Sequence, residues 1–94
     1  MTASKNKPAM TADERRYVER VRSLPCSVCD WVAPSEAHEI KQGSWYTSVA
    51  LCKSCHRCPK NGIHGEKVMW KIMHMSEIDA LNVTIGRLMV KVAA

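Results

Sequence analysis

Along the chain, apolar positions first fall into order at Tyr17, Val18, Val21 and Leu24, the spacing of one helical face. Thr11 precedes them with Glu14 three residues on, a capping-box pattern, so a helix is predicted from about Ala12 to Ser23, with Pro25 ending it. From Trp31 to Leu51 the pattern changes to β-branched and aromatic residues broken by Pro34 and by Gly43-Ser44. That change predicts short strands near Glu36 to Ile40 and Tyr46 to Leu51. Cys52 to His56 should turn into a short helix, followed by a loop through Pro59, Asn61 and Gly62. Glu66 to Met75 again reads as helical, with Val68, Ile72 and Met75 on one face and Lys67, Lys71 and His74 on another. A second capping box, Ser76 with Asp79, restarts the helical run, and Ile78, Leu81, Ile85, Leu88 and Val92 then alternate steps of three and four. This seam is expected to cover an intramolecular core. A dimer stripe is the alternative, which leaves monomer and homodimer both open. Residues 1–10 are polar, basic and interrupted by Pro8, and read as a flexible tail ahead of a single domain over 11–94.

With 94 residues, the chain buries little apolar surface and is expected to need a metal, disulfides or a partner as a staple. No apolar run approaches the roughly 18 residues of a membrane span, and the N-terminal stretch lacks a secretory pattern, so a cytosolic protein without membrane partners is expected. In a reducing compartment five cysteines favour metal ligation over bridges, and their odd number argues further against a closed disulfide set. Lys and Arg outnumber Asp and Glu by 14 to 9, a net charge of +5. The excess suits a polyanion such as DNA, and it equally suits a merely soluble basic surface.

The cysteines narrow the choice. Cys26-x2-Cys29 and Cys52-x2-Cys55 are two pincers, and four thiolates so arranged give Zn²⁺ a closed tetrahedral shell, the pattern of structural sites. Cys55-x2-Cys58 has the same spacing. Cys52 and Cys55 are preferred because they follow the apolar strand Val49 to Leu51, whereas Cys58 precedes Pro59 in an irregular loop and reads as a spare. His38 and His56 flank this second knuckle, and two imidazoles fixed by rigid neighbours, with positions left for water and phosphate, form a plausible open metal site.

The stretches "EAHEIKQG" and "VALCKSCHRCPKNGIHG" resemble the HNH, or ββα-metal, nucleases. With the N-terminal helix, the paired knuckles and "GIHG" before a Trp-containing helix, they look most like small phage and prophage nucleases such as the recombination-enhancement type. The resemblance implies an α+β fold with a small ββα-metal core stapled by the four-cysteine zinc site and flanked by N-terminal and C-terminal helices. It implies a metal-dependent DNA endonuclease in a bacterial host cytoplasm, using Mg²⁺, Mn²⁺, Ni²⁺ or Zn²⁺, with a recombination protein as a candidate partner. By the same resemblance His38 takes the first dyad position, a metal ligand, and His56 the helix ligand. His64, between Gly62 and Gly65, is either a third ligand or a loop histidine capping the next helix. His74 falls outside the site.

Two positions depart from the family pattern. Thr47 stands in the middle Asn slot, where a hydroxyl could partly orient the dyad loop. Glu39 stands where the family places the histidine that takes a proton from the attacking water. An unperturbed glutamate, with a pKa near ~4.3, is a weaker base than imidazole at neutral pH. Glu39 is therefore a base, an extra ligand, or a bystander that has ended catalysis. Lys41, Lys53, Arg57 and Lys60 surround the motif as phosphate contacts or as ordinary solvated cations. Trp45 and Tyr46 either stack on a base or, the favoured reading, pack in the hairpin. Two competing classes remain: a DNA-binding or partner-recruiting zinc module without hydrolysis, and a structural protein-interaction domain that leaves the histidines idle.

Overall fold

The computed structural model describes residues 9–90; most of the tail expected over residues 1–10, and Val92 of the C-terminal seam, lie outside them. The element order is α1 (Ala12–Arg22), β1 (Glu36–Glu39), a 3₁₀ turn (Trp45–Thr47), β2 (Ser48–Leu51), α2 (Lys53–Arg57), α3 (Val68–Ile72) and α4 (Glu77–Met89). It is a small α+β fold whose sheet is one antiparallel pair, with His38 opposite Val49 and Glu39 opposite Ser48. Among the described residues no helix is long and apolar enough to cross a membrane.

Helix α1 begins where its cap predicts. The Thr11 hydroxyl accepts the Glu14 N–H at 3.1 Å and the Glu14 carboxylate accepts the Thr11 N–H at 2.8 Å. Two otherwise unpaired backbone donors are thereby satisfied. Val21 is fully buried, with Tyr17, Val18 and Leu24 half-buried beside it, as the spacing indicates.

The predicted strands shorten at their inner ends. Trp45–Thr47 is a 3₁₀ turn rather than strand, because hydroxyls bend the backbone there. Thr47 Oγ1 donates to the Ser44 carbonyl at 2.7 Å, and Ser48 Oγ donates to the Trp45 carbonyl at 2.6 Å. Thr47 also ties back the loop after β1, its carbonyl accepting from Ile40 N–H and its hydroxyl from Lys41 N–H. Trp45 is buried, while Tyr46 is exposed and meets Tyr17 edge-on at 4.8 Å between centroids. Trp45 thus packs in the hairpin, as favoured, and Tyr46 sits against α1.

The larger corrections are in the C-terminal half. Helix α3 covers only Val68–Ile72, because Lys67 before it and His74 after it adopt left-handed backbone (φ 60° and 55°). Trp70 is its buried residue, its indole N–H donating to the Cys55 carbonyl at 2.9 Å, and Ile72 of the expected apolar face is exposed. Helix α4 starts at the predicted box, with Asp79 N–H donating to Ser76 Oγ at 3.2 Å, but it turns a different face inward. Ala80 and Thr84 are fully buried; of the expected seam Leu81 and Leu88 are half-buried, Leu81 against the core, whereas Ile78 and Ile85 are exposed. The reason is backbone chemistry at the outer edge of β2. Thr84 Oγ1 accepts the Ala50 N–H at 3.2 Å and bonds Ser27 Oγ at 2.7 Å, while the Ala50 carbonyl takes the Ser27 N–H at 2.8 Å. A buried strand edge needs such partners, and small side chains let the helix come close enough to supply one.

Candidate metal centres and adjoining clefts

Two ligand clusters stand side by side. In the first, Cys26, Cys29, Cys52 and Cys55 each present a sulfur, all within 4.8 Å of one another. Cys26 and Cys29 come from the turn after α1. Cys52 follows β2 and caps α2, its sulfur accepting the Cys55 N–H at 3.4 Å, as Cys26 Sγ accepts that of Val28. The Cys29 and Cys52 sulfurs are 3.6 Å apart. A tetrahedral Zn²⁺ with bonds of about 2.3 Å separates its sulfurs by roughly 3.8 Å, so the four thiols can hold a metal such as zinc. Hydrogen bonding from the Cys55 thiol holds Cys26 down at about 4, while burial pushes Cys29 up to about 11, and Cys55 is raised by donating to Cys26. Cys58 is outside the cluster.

The second cluster is His38, His56 and His64, one nitrogen from each again within 4.8 Å of the others. Their ring centroids form a nearly equilateral triangle, 5.1 Å from His38 to His56 and 5.0 Å for each of the other two pairs. His38 is the buried residue of β1, and His56 projects from α2. His64 is brought back by a tight loop in which Ile63 N–H donates to the Cys55 carbonyl at 2.9 Å and Gly62 N–H to the Cys58 carbonyl at 2.8 Å. Only glycine fits: a Cβ at Gly62 would lie 2.8 Å from the His56 carbonyl oxygen, and one at Gly65 2.2 Å from that of Pro59.

Carboxylates hold two of the rings. His38 Nε2 is 2.6 Å from Glu77 Oε2, and His56 Nδ1 is 2.8 Å from Glu36 Oε1. Glu36 also pairs with Arg57 through both carboxylate oxygens, at 3.0 and 2.6 Å. The Arg57 hydrogen bonds are the main cause of the lowered Glu36 pKa. Burial holds His56 below the ordinary imidazole value despite Glu36, favouring the neutral ring that a metal requires. The triad opens into a polar cleft of about 540 Å³ that Glu39, Lys67 and Glu77 also line. Glu39 is outside the three-histidine cluster, and its Oε1 accepts the Gly43 N–H at 2.9 Å.

Glu36, Glu77 and Lys67 were not anticipated from the sequence. Strand alternation carried a signal for Glu36, two residues before His38 and on the same face. Glu77 had none, because its place depends on how α4 docks. Of the anticipated phosphate contacts, Lys53 and Arg57 line a second cleft beyond α2, and Lys41 and Lys60 are exposed and line neither. His74 is exposed and apart from the triad, as expected. Compared with family models, curated proteins and solved structures, the chain matches none.

Proposed function

We propose that this chain is a metal-dependent DNA endonuclease of HNH type, of the small phage or prophage kind, and that the three histidines are its catalytic metal site. The observation that carries the reading is the triangle of His38, His56 and His64, assembled on β1, α2 and a glycine-bracketed loop beside a closed four-thiol cluster. The order β1, β2, α2 also agrees with the ββα core that the sequence resemblance implies. A site with three protein ligands and an open cleft is the design of catalytic centres, and a four-thiolate shell that of structural ones.

A divalent metal bound there would supply Lewis-acid stabilisation of charge on the scissile phosphate and acidify water. The chain's own residues do the rest. Glu36 fixes the His56 tautomer and leaves Nε2 as the ligand atom, and Glu77 constrains His38 in the same manner. Lys67 contributes a cation at the cleft for the phosphate, and Glu39 sits at the wall to orient or deprotonate the attacking water. The bond of Glu39 to Gly43 favours a second reading, a DNA- or partner-binding module that has lost hydrolysis.

The deciding experiment is cleavage of plasmid and single-stranded DNA by wild type and His38→Ala, with Mg²⁺, Mn²⁺ and Ni²⁺ supplied separately. Metal-dependent cleavage by wild type that His38→Ala abolishes is the expected result. Equal activity in both, or in neither with every metal, rejects the nuclease. Glu77→Gln should fold normally and bind the catalytic metal about 10- to 100-fold more weakly, the usual cost of losing a carboxylate behind a ligating histidine. Calorimetric titration with Mn²⁺ reads this without reference to cleavage.

A further inference from the structure

A second cleft is apolar where the histidine cleft is polar. On the other side of α2 an apolar groove of about 760 Å³ is lined by Trp31, Cys29, Met69, Lys53 and Arg57 among others. Among the described residues Lys53 and Arg57 are the charged residues that line it, Arg57 being paired with Glu36. We propose that this groove seats an unstacked nucleobase of a single-stranded nucleic acid, with Trp31 as the stacking platform and Lys53 and Arg57 as phosphate contacts.

Trp31 is 66% exposed, whereas Trp45 (9%) and Trp70 (2%) are buried, so one of the three tryptophans is held in solvent. Its backbone is fixed on both sides. The Trp31 N–H lies on the Cys29 sulfur, and its carbonyl accepts the Cys26 N–H at 2.8 Å. A fixed backbone leaves only the two side-chain torsions of the indole to be ordered on binding, which suits a stacking surface. The groove's volume falls within the range of small-ligand sites. Duplex bases have both faces covered, so an indole can stack only on a base that has left the helix, and such stacking tolerates any sequence. Charge narrows the partner: Lys53 is an exposed cation, and the Arg57 guanidinium, although paired with Glu36, keeps N–H donors that Glu36 does not use for a phosphate oxygen. The groove also lies near the histidine cluster: Arg57 follows His56 in α2, and Glu36 Oε1 accepts from both His56 Nδ1 and Arg57 Nε. A strand crossing α2 would meet the base seat and the triad in turn. The inference rests on the nucleic-acid reading above but not on hydrolysis.

The test is a tryptophan-fluorescence titration of the natively purified protein with a thymidine oligonucleotide, no divalent metal being added. Wild type should be quenched. Trp31→Ala should lose the quench and bind the single strand roughly 5- to 150-fold more weakly, the range for one lost stack, with Trp31→Phe recovering part of the affinity. Affinity for a duplex of equal length, held by phosphate contacts, should stay within about twofold. An unchanged circular dichroism spectrum is expected because the ring is exposed. The proposal is overturned by any of three results: no quench in wild type, equal losses for single strand and duplex, or quenching by an acidic peptide while the oligonucleotide has no effect, which would make the groove a protein-docking site. With no added divalent metal, this titration can fail while the cleavage experiment succeeds, and the reverse.

Discussion

Replacing Cys26, Cys29, Cys52 or Cys55 by serine is expected to unfold the chain, and Cys58→Ser is expected to leave it folded with its zinc. The size of the effect follows from where the sulfurs sit. Cys26 and Cys55 are fully buried and Cys52 nearly so, in one cluster with Val28, Val49, Leu51, Trp70 and Ala80. Among the described residues few other large side chains are fully buried, so the core is built around these thiols. They link the turn after α1 to the junction of β2 and α2, two segments otherwise joined mainly through Ser27, Ala50 and Thr84. Structural zinc in small domains supplies an apparent ~10–16 kcal/mol, against a typical total stability of about 5–15 kcal/mol. Cys58 belongs to neither cluster. Far-UV circular dichroism and elemental analysis check both halves, with a chelator titration of wild type reproducing the serine variants. Natively purified, folded protein without zinc would refute the claim.

Elements specified by neighbours in the chain were legible beforehand, and elements specified by distant partners were not. Both capping boxes, the α1 face and the two knuckles are local patterns, since each is closed by residues three or four positions apart. The proximity of His64 to His38 and His56 was also open to reading from its two glycines, because a position without Cβ permits backbone to approach backbone. Helix α4 shows the opposite case. Of its periodic apolar positions Leu81 and Leu88 do turn partly inward, yet Ile78 and Ile85 do not, and the fully buried places go to Ala80 and to Thr84, which satisfies the outer edge of β2. Hydrophobic periodicity does not register a strand edge in need of a hydrogen-bond partner. Glu77 was hidden for the same reason: only the docked α4 brings its carboxylate to His38. Trp31 escaped notice because an exposed aromatic after a knuckle has no periodic context, and its meaning depends on the groove that α2 and Met69 complete.

Glu39→Gln is expected to remove most of the metal-dependent cleavage, about 10²- to 10⁴-fold as for loss of a general base, while leaving fold and zinc intact. The geometry makes this substitution clean. Oε1 of Glu39 accepts the Gly43 N–H, and a glutamine carbonyl oxygen can do the same, so the loop after β1 keeps its anchor while the negative charge is lost. Glu39 lines the histidine cleft without joining the three-nitrogen cluster, so Mn²⁺ affinity should fall far less in Glu39→Gln than in His38→Ala. This comparison separates a base from a ligand. A working base predicts lost cleavage with metal retained, whereas an extra ligand predicts that both fall together. Glu39→His should then preserve or raise activity by supplying a base that titrates nearer neutral pH. Should wild type prove inert with each divalent metal and only Glu39→His cut DNA, the site is a decayed nuclease whose binding surface survives. Equal cleavage by wild type and Glu39→Gln would make Glu39 a bystander that merely holds Gly43 and would move the search for the base to His64, the most exposed of the three histidines.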